Sequence, residues 1–393
     1  MAVTAWEEAA VAVTKNARLA AQSLAGAALA LPVLALPVQA GQLEMARGGI
    51  KYLSYVEKNR MEASAPLLWA EAPLGDNFDI AAAATVDSIS GASPQYVTNR
   101  SGKPVHTLTS ASIRDERRAA DVKLTRHFDE GSIGLSASVS SERDYLSQSV
   151  SVDTRLDFND KNTTLALGAG ETNDRIGSSI QTTLDEPRTT RDYMVGVTQL
   201  LTPVSLVQSN LTYSSGNGYF NDPYKFTLSY LLNSRAPIMQ RDTRPDGRSS
   251  AAWLTRYRHY FPGWSAALLT DYRYYRDNWG IRAHTLDLGV TREIARGLKI
   301  VPALRYYTQS PANFYASSFT AGGGLGSSDA RLSGFGAITA SLKLIYEMDA
   351  RTNLDASIAR YRQEASWRLG GEGSEGFPAL DAKFLMIGLS RVF

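Results

Sequence analysis

The sequence predicts an all-β chain, a single transmembrane antiparallel β-barrel of about sixteen strands behind a cleaved signal peptide. Three observations carry this. From Ser249 to Gln309, four segments of ten to fourteen residues alternate apolar and polar side chains between tight turns. Residues 1–40 have the layout of an export signal, with Lys15 and Arg18, an apolar run from Leu19 to Val38, and Val38-Gln39-Ala40 before Gly41. The chain closes on Leu385-Met386-Ile387-Gly388-Leu389-Ser390-Arg391-Val392-Phe393, an alternating strand with a terminal aromatic residue.

Within the central segments, Trp264, Ala266, Leu268, Thr270, Tyr272 and Tyr274 share one parity, with Ser265, Asp271 and Arg273 between them. Leu298, Ile300, Pro302, Leu304 and Tyr306 repeat the pattern against Lys299, Arg305 and Tyr307. Strands of soluble sandwiches usually run about five or six residues, whereas about nine to eleven cross a bilayer at a tilt. Trp253, Tyr260, Phe261, Trp264, Tyr272, Tyr274, Tyr275 and Trp279 gather at the segment ends, where an interfacial aromatic girdle is expected.

The chain has 393 residues, 44% of them hydrophobic, and no apolar run after residue 40 approaches the length of a membrane helix. Lumen-facing polar residues offset lipid-facing apolar ones in such barrels, so a middling composition agrees with the prediction. With 41 basic and 39 acidic residues the net charge is +2, and nothing favours a nucleic-acid partner. The absence of cysteine excludes disulfides, thiolate metal sites and cysteine nucleophiles. In the leader, Glu7 and Glu8 are unusual for a basic n-region, but Pro32, Pro37 and the small-residue exit favour cleavage near Ala40 over a membrane anchor. Two regions follow, 1–40 as signal peptide and 41–393 as barrel.

Taken in order, 47–57, 60–73 and 77–91 read as strands, with Ile80, Ala82, Ala84 and Val86 alternating in the last. Residues 92–119 hold Pro94, Gly102, Pro104 and the charge run Arg114 to Arg118, and read as an exposed loop. Strands are expected at 120–128, 132–143 and 147–158, where Val150, Val152, Leu156 and Phe158 oppose Ser149, Ser151, Asp153, Arg155 and Asp157. Charges at mid-strand survive in lipid only by facing a wet lumen. The turn at Asn159 to Asn162 leads to a strand at 163–171, a polar loop to Thr190, and strands at 190–201 and 203–215.

Parity decides the piece 216–248, which contains a strand-like run at 224–232. Treating it as one outer loop puts the short turns 129–132, 159–162, 201–203, 262–264, 295–297 and 349–351 on one side. The long connections then all fall on the other side, as barrel topology requires, and the count is sixteen. Outer-membrane lipids and the assembly machinery that reads barrel C-termini are the partners this ending implies, although Arg391 stands where an apolar residue is more usual.

The runs Ser215-Gly216-Asn217-Gly218-Tyr219-Phe220-Asn221-Asp222-Pro223-Tyr224-Lys225, Arg244 to Arg248, Tyr272 to Ile281 with His284-Thr285, and Tyr306 to Ser310 with Phe314-Tyr315 resemble the family known as domain of unknown function 3570. That resemblance implies an outer-membrane barrel without a defined role. It also implies gene neighbours that include a small lipoprotein, a thioredoxin-like protein and a flavin transferase, and hence a periplasmic lipoprotein or thioredoxin-like partner.

Consistent alternation sends Arg256, Arg258, Asp271, Arg273, Asp287, Lys299 and Arg305 into the lumen from four neighbouring strands, with Lys343 and Glu347 beyond. Lys123, His127, Asp153, Arg155 and Asp157 come from the opposite wall. Such a set either forms an electrostatic constriction for small, in part anionic, solutes or a paired network that braces a filled barrel. A channel or transporter is therefore expected, with a docking barrel as the alternative. The outer-loop motif comprises Asn217, Tyr219, Asn221, Asp222, Pro223, Tyr224 and Asp246. With Asp242, its carboxylates and amides offer oxygen ligands for a hard cation, yet Asn, Asp and Gly are also ordinary turn residues, and no metal is assigned. The histidines 106, 127, 259 and 284 lack zinc spacing. No Ser-containing elbow accompanies His259 or His284, so no catalytic residue and no cofactor is expected. Gly322-Gly323-Gly324-Leu325-Gly326 lacks the lysine and helix of a phosphate loop and reads as a flexible tip.

Overall fold

The computed structural model describes residues 43–58, 61–91, 94–100, 103–108, 113–230, 237–317, 319–320 and 324–393. The expected signal peptide lies outside them. In chain order the strands are β1 (Arg47–Glu57), β2 (Met61–Leu74), β3 (Phe78–Gly91), β4 (Pro94–Arg100), β5 (Lys103–Leu108), β6 (Ile113–Phe128), β7 (Gly131–Glu142), β8 (Tyr145–Phe158), β9 (Thr163–Ile176), β10 (Glu186–Thr202) and β11 (Ser205–Gly218). They continue with β12 (Phe226–Tyr230), β13 (Pro237–Arg241), β14 (Gly247–Phe261), β15 (Ala266–Asp277), β16 (Arg282–Ala295), β17 (Leu298–Gln309), β18 (Phe319–Thr320), β19 (Phe335–Glu347), β20 (Thr352–Glu364) and β21 (Leu380–Val392).

Sixteen of these close into one barrel in the order β1-β2-β3-β6-β7-β8-β9-β10-β11-β14-β15-β16-β17-β19-β20-β21. The first and last strands pair antiparallel, Leu53 opposite Met386, which removes the free sheet edge that lipid does not tolerate. Sorting by side inverts the pattern of a soluble protein. Leu135 (63%), Leu68 (62%) and Val150 (59%) are exposed on the outer face, while Asp271 (3%), Asp153 (5%) and Lys123 (7%) are buried on the inner one. Large apolar side chains outside and charges inside identify a lipid-facing wall around a polar interior.

The sixteen-strand count holds because 224–232 does not span. Its strand β12 pairs antiparallel with β13 and parallel with β18, apart from the barrel sheet. The short turns follow the expected side, and at Asn159, Asp160 and Lys161 they use positive φ, which Asn and Asp tolerate. Three expectations need correction. Residues 92–119 are not one loop: 94–108 form the hairpin β4–β5, and β6 already starts at Ile113, so Arg114 to Arg118 lie in a strand. β9 runs on to Ile176 and β10 begins at Glu186, which shortens the polar loop expected between 171 and 190. Beyond the lipid both faces of a strand meet water, so these extensions carry no apolar alternation to announce them. Finally, Tyr275 and Trp279 do not join a girdle: they are buried at 8% and 2% in an inward aromatic cluster.

Candidate lumen pathway and the lid over its rim

On the wall formed by β14 to β17, backbone pairing sets Arg256 opposite Asp271, Asp271 opposite Asp287 and Asp287 opposite Arg305, one row across four strands. Two adjacent carboxylates on neighbouring strands repel, and each is met by guanidinium. Arg305 Nε lies 2.5 Å from Asp287 Oδ1. Arg256 Nε lies 3.3 Å from Asp271 Oδ2, and Arg258 binds the other oxygen of Asp271. Arg273 points the same way, and among the described residues it has no ion-pair partner. Four arginines thus face two aspartates.

Across the barrel, Lys123 Nζ contacts Asp153 Oδ1 at 2.6 Å, and His127 Nε2 lies 2.7 Å from Asp79 Oδ2. Asp157 accepts a 2.6 Å hydrogen bond from Thr164 Oγ1, and no ion pair to Arg155 occurs among the described residues. Lys343 approaches Asp355 at 3.3 Å, a carboxylate that the sequence reading passed over. Lys299 and Glu347 pair with each other at 2.6 Å, both about two-fifths exposed, at the short-turn rim and not at a narrow point.

At the opposite rim, the described residues of the connections from β11 to β14 and from β17 to β19 build a lid. Thr243 and Gly326 exchange backbone hydrogen bonds of 3.0 and 2.9 Å beside the β12–β18 pair. Beneath lies a buried ionic cluster. Arg244 Nη2 reaches Asp242 Oδ2 at 2.5 Å and Asp329 Oδ2 at 2.8 Å, all three side chains being at most 2% exposed. Arg331 binds both Asp329 and Asp222, and Asn221 Oδ1 accepts from the Arg244 backbone N–H at 2.6 Å. Of the loop carboxylates weighed as cation ligands, Asp222 and Asp242 therefore have guanidinium partners here. Burial alone would raise the Asp329 carboxyl, but Arg331, Arg244 and Lys225 outweigh it and hold the group well below the usual carboxylate range. Burial lowers the Lys225 ammonium. Burial also raises Asp242, although Arg244 opposes that shift.

Two wall arginines clamp the lid. Arg188, bonded to Asp174 at 2.8 Å, sits 5.1 Å from the Phe220 ring, and Arg248, bonded to Asp277 at 2.6 Å, sits 4.3 Å over Trp279. Phe220 meets Trp279 edge-on at 5.7 Å, a favoured aromatic geometry. Gly280 follows with φ +90°, and a Cβ there would come 2.1 Å from Asn313 Oδ1, so only glycine fits. The far end of the lid is Tyr224, whose hydroxyl donates to Asp144 and accepts from Ser179 N–H at 2.8 Å. Asp144 precedes β8 and Asp329 precedes β19, eight strands apart in a ring of sixteen, so the lid spans the mouth.

Of the loop motif, Asn221, Asp222 and Tyr224 thus enter these contacts, Tyr219 and Asp246 tie the loop through backbone hydrogen bonds, and Asn217, next to last in β11, pairs with Gly247. Of the glycine run, 322 and 323 lie outside the described residues, while Gly326 is the bridge to Thr243. His259 Nδ1 lies 2.6 Å from Ser205 Oγ on the outer face, beside Phe261 and with no carboxylate bonded to the imidazole among the described residues. Arg188, Arg244, Arg248, Asp329 and Arg331 were missed as functional residues. Their one signal was placement at strand ends and in proline-rich loops, which alternation does not read.

Closure, the apolar outer band and the charged interior define an outer-membrane β-barrel protein. The family model described as "Protein of unknown function (DUF3570)" matches residues 21–185 and 178–384, and the chain belongs to that family. A comparison with curated proteins gives no match. Among solved structures, the chain is similar to CdiB from Acinetobacter baumannii, at 9% identity and TM-score 0.51, over 88% of this chain and 60% of that one. It therefore spans less than two thirds of CdiB, and the likeness concerns the fold alone. A bacterial polysaccharide outer membrane secretin (8% identity, TM-score 0.49, 89% of this chain and 98% of that one) and Pseudomonas aeruginosa OccD3 (8%, 0.46, 92% and 96%) also match.

Proposed function

We propose that the protein is a channel for small solutes in the outer membrane of a Gram-negative cell, exported by a signal peptide cleaved near Ala40 and oriented with its lid outside. The observation that carries this is the closed ring of sixteen strands with a charge-bearing inner face. Barrels of about sixteen strands enclose more space than their side chains fill and leave an aqueous path. The excess of arginine on the β14–β17 wall favours small anions there, because a confined lumen strengthens each charge relative to bulk water. Planar-bilayer recording in a chloride gradient should show discrete steps and a reversal potential displaced toward that of chloride. Protein that gives no steps and no solute flux into liposomes, even with the lid loosened by Asp329→Asn, is not a channel.

A further inference from the structure

On the outer face of the barrel, backbone pairing sets Tyr193 opposite Tyr213, Tyr213 opposite Ala251, Ala251 opposite Arg276 and Arg276 opposite Arg282, a row across β10, β11, β14, β15 and β16. Tyr275 and Ala283 turn inward to the aromatic cluster, so Arg276 and Arg282 turn outward, and both are exposed. Like charges directly opposite on neighbouring strands repel. The outward Arg191, two residues from Tyr193, has Glu171 at 2.8 Å. Among the described residues, the guanidinium groups of Arg276 and Arg282 have no such carboxylate and no hydrogen bond.

The pair flanks the connection 278–281 at the lid rim, where Trp279 meets Phe220. The next outward row toward the barrel waist is Leu211, Trp253, Tyr274 and His284, with Trp253 54% exposed. An aromatic row of this kind marks the level at which acyl chains give way to headgroups. We propose, resting on the orientation with the lid outside, that Arg276 and Arg282 hold a phosphate group of an outer-leaflet glycolipid against the barrel wall. Each guanidinium fork can give a phosphate two parallel N–H bonds, and side chains paired this way start about 5 Å apart at Cβ. A doubly charged phosphate monoester between them removes their repulsion. Ala251, small between Tyr213 and Arg276, leaves a shallow notch running from the pair toward Trp253. An acyl chain covers that apolar surface; a free phosphate ion leaves it bare.

The test compares the unaltered barrel with Arg276→Gln plus Arg282→Gln, and with Arg292→Gln, an exposed arginine on the same face at the far end of β16. Native mass spectrometry of protein extracted from outer membranes should show phosphorylated glycolipid retained by the unaltered barrel and by Arg292→Gln, and lost from the double variant. In micelles, delipidated double variant should bind lipopolysaccharide at least about tenfold more weakly, since charge-assisted hydrogen bonds are lost. Dephosphorylated lipopolysaccharide should bind the unaltered barrel just as weakly. Equal binding by the double variant, or equal loss in Arg292→Gln, overturns the site. Inorganic phosphate that binds as tightly as the glycolipid overturns the lipid as its occupant. Arginine-dependent retention of phospholipid in place of glycolipid overturns the site and the orientation together. Retention without current upholds the site and overturns the channel; current without arginine-dependent retention does the reverse. If the double variant does not assemble, Arg276→Gln alone and the dephosphorylated lipid decide.

Discussion

At the scale of single residues, the lid and the lumen wall use arginine in opposite ways. Asp329 sits between Arg244 and Arg331 in a cluster with three acidic and three basic side chains, Asp222, Asp242 and Asp329 against Lys225, Arg244 and Arg331. Removing the Asp329 carboxylate leaves three buried cations against two carboxylates, an uncompensated charge away from water, at a cost of about 3–5 kcal/mol to the lid. Asp329→Asn should make the lid sensitive to trypsin at Lys225 and Arg241 while the barrel stays folded on an unboiled gel; a protected lid contradicts the assignment. Because the carboxyl of Asp329 is held below its ordinary value of 3.8, folding gains from its ionisation above that pH. This contribution is lost as pH falls below 3.8 toward the depressed value, so lid protection should fade in strong acid, less so in Asp329→Asn. On the wall, Arg258 keeps Asp271 paired when Arg256 is removed, and Arg273 has no ion pair among the described residues. Arg256→Ala with Arg273→Ala should therefore lower anion selectivity without preventing assembly. A variant that fails to fold would show that these arginines brace a filled interior.

At the scale of one strand, a step of one residue exchanges lipid for lumen. Val150 on β8 is 59% exposed on the outer face, whereas Ser149 faces inward and shares a 2.5 Å hydrogen bond with Ser138. Val150→Arg should reduce unfolding free energy in lipid vesicles by about 2–4 kcal/mol, as charges do near the bilayer midplane. Ser149→Lys should lose about 1 kcal/mol, the net worth of one hydrogen bond, because its ammonium meets water. Equal effects in urea titrations would mean that β8 is turned by one residue.

For the molecule as a whole, closure between β1 and β21 makes folding all-or-none around the ring. The protein should migrate faster unboiled than boiled and remain in the outer-membrane fraction after washing with carbonate. Release into the soluble periplasmic fraction would contradict the membrane assignment whatever the conductance.

Alternation by itself determined the barrel, the parity of the strands and which side chains turn inward, because strand period and tight turns are local properties of the chain. Arg256, Asp271, Asp287 and Arg305 were legible as one inner row for that reason. Only the tertiary structure decided that Arg256 and Arg258 share Asp271, since pairing depends on the stagger between strands. It alone also placed Arg114 to Arg118 in β6, where water on both faces removes the apolar signal. The lid was decided in the same way. Arg331 meets Asp222 across 109 residues and Tyr224 meets Asp144 across 80, contacts brought together by closure of the ring and not by any local pattern.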